Sequence, residues 1–146
     1  MSLGRDYRSA GATWYIYHTL CHLPAAAPEL RYTAFSNEPR FSPPVGMRVQ
    51  RSSWPTATPY GRIAWEQLRA PAALRREQVD VVHGMAFVAP LLSPCPTVVT
   101  VLDLSFLRFP QAFKGFNRAY LSLMTRMSVR RAARVIAISE STRRDV

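Results

Sequence analysis

The sequence predicts an α/β fold, a parallel sheet flanked by helices. Two observations carry this. Short runs rich in β-branched residues at 78–83, 97–102 and 134–138 read as strands, separated or followed by segments with helical spacing. The runs are also continuously apolar rather than alternating, as in strands covered on both faces by crossover helices.

In chain order, SAGAT at 9–13 is a small-residue loop leading into WYIYHTLCHL, a helix start with Ser9 or Thr13 as its cap. Pro24 and the Ala-Pro segment behind it break that helix, and residues 30–35 alternate as a strand does. A proline-rich loop at 39–44 precedes a short strand at 47–50. The spacing of Ile63, Trp65, Leu68, Ala72 and Leu74 predicts a helix over 61–76, which Pro71 must bend or divide because it has no amide hydrogen for the preceding turn. Residues 78–83 form a strand buried on both faces that ends at His83-Gly84. After a connection bearing Pro90, Pro94 and Pro96 come the strand at 97–102, a long helix at 116–133 and another buried strand at 134–138. Ser139, Glu140, Ser141 and Thr142 open a final helix.

The totals bound the function classes. A chain of 146 residues that is 48% hydrophobic fits one domain of ordinary size, so a single domain over 1–146 is expected. No window of about eighteen apolar residues occurs, which argues against a membrane-spanning helix. The opening MSLGRD lacks the apolar core of a secretory signal, so a cytoplasmic protein is expected. Cys21 and Cys95 are far apart with no CxxC or Cys/His spacing, which argues against a disulfide framework or zinc site and for reduced, buried thiols. The net charge of +10 is almost all arginine, Lys114 being the only lysine. The guanidinium fork suits phosphate, so an anionic partner is indicated: a nucleotide, a phospholipid surface or nucleic acid. A GC-rich genome would give the same bias. Nucleic acid ranks last, because no binding module or basic-aromatic strand face is present.

Four segments in order, WEQL at 65–68, VDVVH at 79–83, VVTVLDLSF at 98–106 and SVRRAARVIAISESTRRD at 128–145, resemble the amino-terminal domain of family 4 glycosyltransferases. GATWYI at 11–16 stands where that family has a glycine-rich loop and an Arg-Tyr pair. The resemblance implies a GT-B fold, in which two Rossmann-like domains face each other across a cleft. The first mainly holds a saccharide or lipid-linked acceptor and the second a nucleotide-sugar donor, with configuration retained and no metal or other cofactor. It further implies that this chain is one Rossmann-like half of that fold, incomplete and truncated before the donor-binding domain. The isolated chain is then expected to be inactive.

In open parallel sheets ligands sit at the carboxyl ends of strands, which directs attention to His83-Gly84, Leu102-Asp103 and Ser139-Glu140. Asp103 is the candidate catalytic residue, since a carboxylate after an apolar run must reach either solvent or several donors. It can accept from a sugar hydroxyl or cap the next turn through the amides of Ser105 and Phe106. His83 can bond an acceptor hydroxyl or phosphate, or satisfy a loop carbonyl. Ser139 and Glu140 can line the cleft or cap the last helix. Gly11 and its small neighbours can let a phosphate approach the backbone and the positive end of the first helix. These four are the candidate substrate-binding residues. At position 102 the family typically has a histidine before the aspartate, and leucine can neither titrate nor hydrogen-bond through its side chain. His18 and His22 share a helix face but lack a third ligand, so no metal site is assigned. Arg126, Arg130, Arg131 and Arg134 can meet an anionic membrane that carries a lipid-linked acceptor, or form a solvated face.

Overall fold

The computed structural model describes residues 10–37, 41–56, 58–112 and 115–146. Ser9, proposed as a cap, and Pro39, in the proline-rich loop, lie outside them. The chain divides into two compact units, Met1–Ile63 and Ala64–Val146. As the sequence predicts, the fold is α/β and the strands are parallel. They form two sheets, one in each unit.

In the first unit, helix α1 (Ala10–Ala26) already includes the small-residue stretch, so Gly11 and Thr13 are helical and Thr13 is not a cap. Pro24 does not end the helix. A proline so close to the end removes little more than one backbone bond, and Ala27 N–H still donates to the Leu23 carbonyl (3.1 Å). Strands β1 (Tyr32–Phe35) and β2 (Met47–Gln50) pair in parallel, Tyr32 opposite Met47 and Phe35 opposite Gln50. Gly46 turns the chain into β2 at φ +89°, with its Cβ position 3.2 Å from Pro24, so only glycine fits without strain. Past β1, Asn37 Oδ1 accepts from Ser52 N–H (2.7 Å) while its amide donates to Trp54 O (3.3 Å) and Thr56 Oγ1 (3.0 Å). Helix α2 (Pro59–Ala64) follows.

The helix expected over 61–76 runs without a break from residue 59 to residue 76, and Pro71 is accommodated by a π-helical turn (Trp65–Arg69) between α2 and α3 (Ala70–Arg76), with Ala70 N–H donating to the Trp65 carbonyl. The wider turn relieves the clash between the proline ring and the carbonyl four residues earlier. Gln78, at φ +52°, reverses the chain, and strand β3 is confined to Val82–Gly84. The strand expected from 78 is therefore shorter, and it is half-buried rather than covered on both faces. Its ladder starts only where Val82 N–H meets the Pro96 carbonyl (3.0 Å), and Val81 is 54% exposed.

Strand β4 (Thr97–Val101) lies between β3 and β5 (Arg134–Ala137), parallel to both. Two short elements that periodicity did not reveal, α4 (Ser105–Arg108) and a 3-10 turn (Pro110–Ala112), lead to the long α5 (Gly115–Arg131). Val99, Val101, Ala89, Leu104 and Phe106 form the core, with Phe87, Leu121, Val129 and Ala132 packed on it. Phe87 holds φ +64°, uncommon for an aromatic residue. It is fixed there by its N–H donating to Thr100 O (2.9 Å) and by an edge-to-face contact with Phe106 (5.8 Å). Strand β5 corrects a second expectation: its side chains are largely exposed, Ile136 at 40%, and among the described residues it is an edge strand. An apolar run reports what a strand tolerates, not what covers it. Cys21 and Cys95 are free but only half-buried, so the expected full burial does not hold. No helix of the described residues is long and apolar enough to cross a membrane.

Phe106 is 1% exposed at the centre of this core, so Phe106→Ala should cost about 3–5 kcal/mol in urea unfolding. A loss below about 1 kcal/mol would show that the core closes without it.

Candidate functional site

Because β3, β4 and β5 run parallel and adjacent, their carboxyl ends fall along one edge of one sheet. This edge gathers His83-Gly84, Leu102-Asp103 and Ser139-Glu140. Gly11 belongs to the other unit.

Asp103 is exposed at the tip of β4. Its Oδ1 accepts from Ser105 N–H (2.8 Å) and from the Ser105 hydroxyl, so the carboxylate caps the turn into α4. The expected bond from Phe106 N–H is not among these. Oδ2 has no hydrogen-bond partner among the described residues, which leaves it open to a ligand hydroxyl.

Leu102 turns the other way and is 6% exposed. Its carbonyl accepts from the Thr142 hydroxyl (3.3 Å), and Thr142 N–H donates to Ser139 Oγ (3.1 Å). Ser139 is thus the N-cap of α6 (Glu140–Asp145), and buried Thr142 ties that cap to the end of β4. Glu140 receives two bonds from Arg143, Nε at 2.9 Å and Nη2 at 2.8 Å, on the exposed side of the first turn. At the far end of α6, Arg108 Nη2 donates to Asp145 Oδ1 (2.6 Å).

His83 Nε2 lies 2.8 Å from Thr100 Oγ1. The contact follows from register. His83 is opposite Val98, so Thr100 falls on the same sheet face one pleat further on. Thr100 is fully buried, and its carbonyl also holds Phe87, so one residue anchors both the imidazole and the loop after β3. Partial burial lowers the His83 pKa below its ordinary 6.5, favouring the neutral ring. Gly84 is required beside it: a Cβ there would lie 2.6 Å from the Val88 carbonyl. Thr100 and Thr142 were missed as site-building residues. For Thr100 the available signal is a polar residue within an apolar run; Thr142 lies in a polar stretch, where only its place three residues after Ser139 points to it.

Other candidates lie elsewhere. Among the described residues, nothing outside its own helix turn lies within 4 Å of the Gly11 Cβ position, so their packing does not require glycine there. His18 and His22 stack face to face (6.1 Å) on exposed α1, His18 also against Trp14 (5.1 Å). No group of three or more His, Cys, Asp or Glu among the described residues could hold a metal ion. A hollow of about 260 Å³ lies at the opposite, amino end of β4 and β5, between Pro90, Cys95, Thr97, Ser128 and Arg131. Arg131 there donates to Leu91 O (3.0 Å). Being at the wrong end of the strands for a parallel-sheet ligand site, the hollow is not taken as the candidate site.

His83 sets a pH dependence. The unfolded chain takes up this proton near pH 6.5 and the folded chain only at lower pH, so stability falls as pH drops from 6.5 through the lowered native value. Histidine NMR should place the His83 midpoint below 6.5, and His83→Gln should flatten that part of the urea-stability profile. An unchanged slope in the variant would assign the effect to another group.

Compared with known proteins, the chain matches no curated protein and no solved structure. The model of Glycosyltransferase Family 4 matches residues 9–146, nearly the whole length. With an α/β unit whose parallel strands bring a histidine, an aspartate and a capped helix to one edge, the chain belongs to glycosyltransferase family 4.

Proposed function

We propose that this chain is the acceptor-side half of a two-domain hexosyltransferase. The enzyme would move a sugar from a nucleotide-sugar donor to a saccharide or lipid-linked acceptor, the donor being held by a second domain, without a metal. The supporting observation is the family match together with His83 and Asp103 at neighbouring strand ends. A neutral imidazole can donate to or accept from an acceptor hydroxyl at one ring nitrogen while the other is held by Thr100. Asp103, steadied by Ser105, offers Oδ2 to a second hydroxyl and is the proposed catalytic contact. Ser139 and Glu140 would complete the binding edge, Glu140 with one acceptor site on each oxygen taken by Arg143. Gly11 would let a phosphate approach the first turn of α1. A lipid-linked acceptor would bring the enzyme to a membrane surface from the cytoplasmic side.

Nucleotide release from a panel of nucleotide sugars is the test. The chain alone should release none, and supplying a family donor domain should restore release. In the two-domain enzyme, Asp103→Asn should lower kcat by roughly a hundredfold. Transfer by the chain alone would overturn the two-domain reading.

A second reading, a non-catalytic binding domain that keeps the fold, is favoured by one observation: Leu102, where the family has histidine, is buried. It predicts saccharide binding without nucleotide release in any combination. On the first reading, Leu102→His in the two-domain enzyme should lower stability by about 1–3 kcal/mol, since the ring must be desolvated, and leave kcat unchanged. A tenfold rise in kcat would show that the site lacks the contact leucine cannot make.

A further inference from the structure

Of the four arginines considered for a membrane, Arg131 is tied to Leu91 O, and Arg134 lies on β5 with Nη1 on the Ala133 carbonyl. The other two, Arg126 and Arg130, are exposed on α5. Positions 116, 119, 123, 126 and 130 recur at intervals of three and four and form one stripe along the helix, opposite the face that buries Met124, Thr125 and Ser128. At roughly 1.5 Å per residue the stripe is about 21 Å long. Its first half is apolar, with Phe116 51% and Leu123 59% exposed, and its second half is cationic.

Charge sets the occupant. Residues 115–131 contain four arginines and no carboxylate, and no described residue forms an ion pair with Arg126 or Arg130. Like charges four residues apart repel, and the helix dipole offsets this only in the last turn, which leaves Arg126 uncompensated. A second copy laid on the stripe would add arginine to arginine. A nucleic-acid groove would neutralise the arginines but gain nothing from Phe116 and Leu123. An interface carrying negative headgroups above acyl chains satisfies both halves.

We propose that α5 lies on anionic phospholipid bilayers, Phe116 and Leu123 entering the headgroup–acyl boundary and Arg126 and Arg130 pairing with lipid phosphates or carboxylates. This deepens the lipid-linked branch of the proposed function and rests on that branch for its purpose. Binding is read without donor or acceptor, so its failure leaves the transfer reading standing.

The test is co-sedimentation of the full chain with phosphatidylcholine vesicles containing no or 30% phosphatidylglycerol. The expected result is strong preference for the anionic vesicles. Arg126→Ala with Arg130→Ala should weaken binding roughly 25-fold at low salt. Phe116→Ser with Leu123→Ser should weaken it roughly tenfold or more at salt concentrations that screen charge. Arg75→Ala with Arg144→Ala, which removes the same charge elsewhere, should change it less than threefold. Far-UV circular dichroism checks that each variant folds. Equal losses in both arginine pairs, no effect of the apolar pair, or binding to duplex DNA but not to anionic vesicles would each overturn the proposal.

Discussion

Strand β4 has a hydrogen-bonded neighbour on each side, and Val99, Thr100 and Val101 are closed to solvent. Much else in the second unit depends on that enclosure. With β4 fixed, β3 and β5 must present their ends beside its own, and Leu104 and Phe106 must turn back beneath Leu121 and Val129. The polar groups admitted to this apolar setting are satisfied in ways that reach the edge: Thr100 takes His83 and Phe87, and Thr142 takes Leu102.

The site is thus braced from below. His83 does not hold itself in place; a buried threonine on the next strand fixes the direction of its ring. Asp103 is likewise steadied by a serine two residues on, which leaves one carboxylate oxygen without a hydrogen-bond partner among the described residues. Both supports are short-range and rigid, so the two groups can meet a ligand without first paying much ordering entropy.

Much of this was legible in the sequence because it is local. The β-branched runs gave the strands, Ser139 announced its cap, Pro71 an irregularity in its helix, and Asp103 its turn. What sequence alone could not supply was register and cover. The pairing of His83 with Thr100 depends on which residues of β3 and β4 lie opposite, and nothing within either strand states it. The exposure of β5 depends on what packs on it, which its own residues do not state: they read as buried, while among the described residues it has one strand neighbour. Gly11 looked like a loop because small residues suit loops, yet they also suit the first turn of a helix, where they are found.

Strand β5 also bears on how the molecule behaves in company. Its outer side carries amide and carbonyl groups that no described strand receives, flanked by Val135, Ile136 and Ile138. Such an edge is a template on which any extended chain, including another β5, could grow a continuous ladder. Arg134 at its first position, with its guanidinium held near the strand by the Ala133 carbonyl, places a fixed charge where an incoming strand would have to register. Charge at the start of an exposed strand is one of the features that disfavour edge-to-edge pairing, so the same residue that opens β5 also limits what can be added to it.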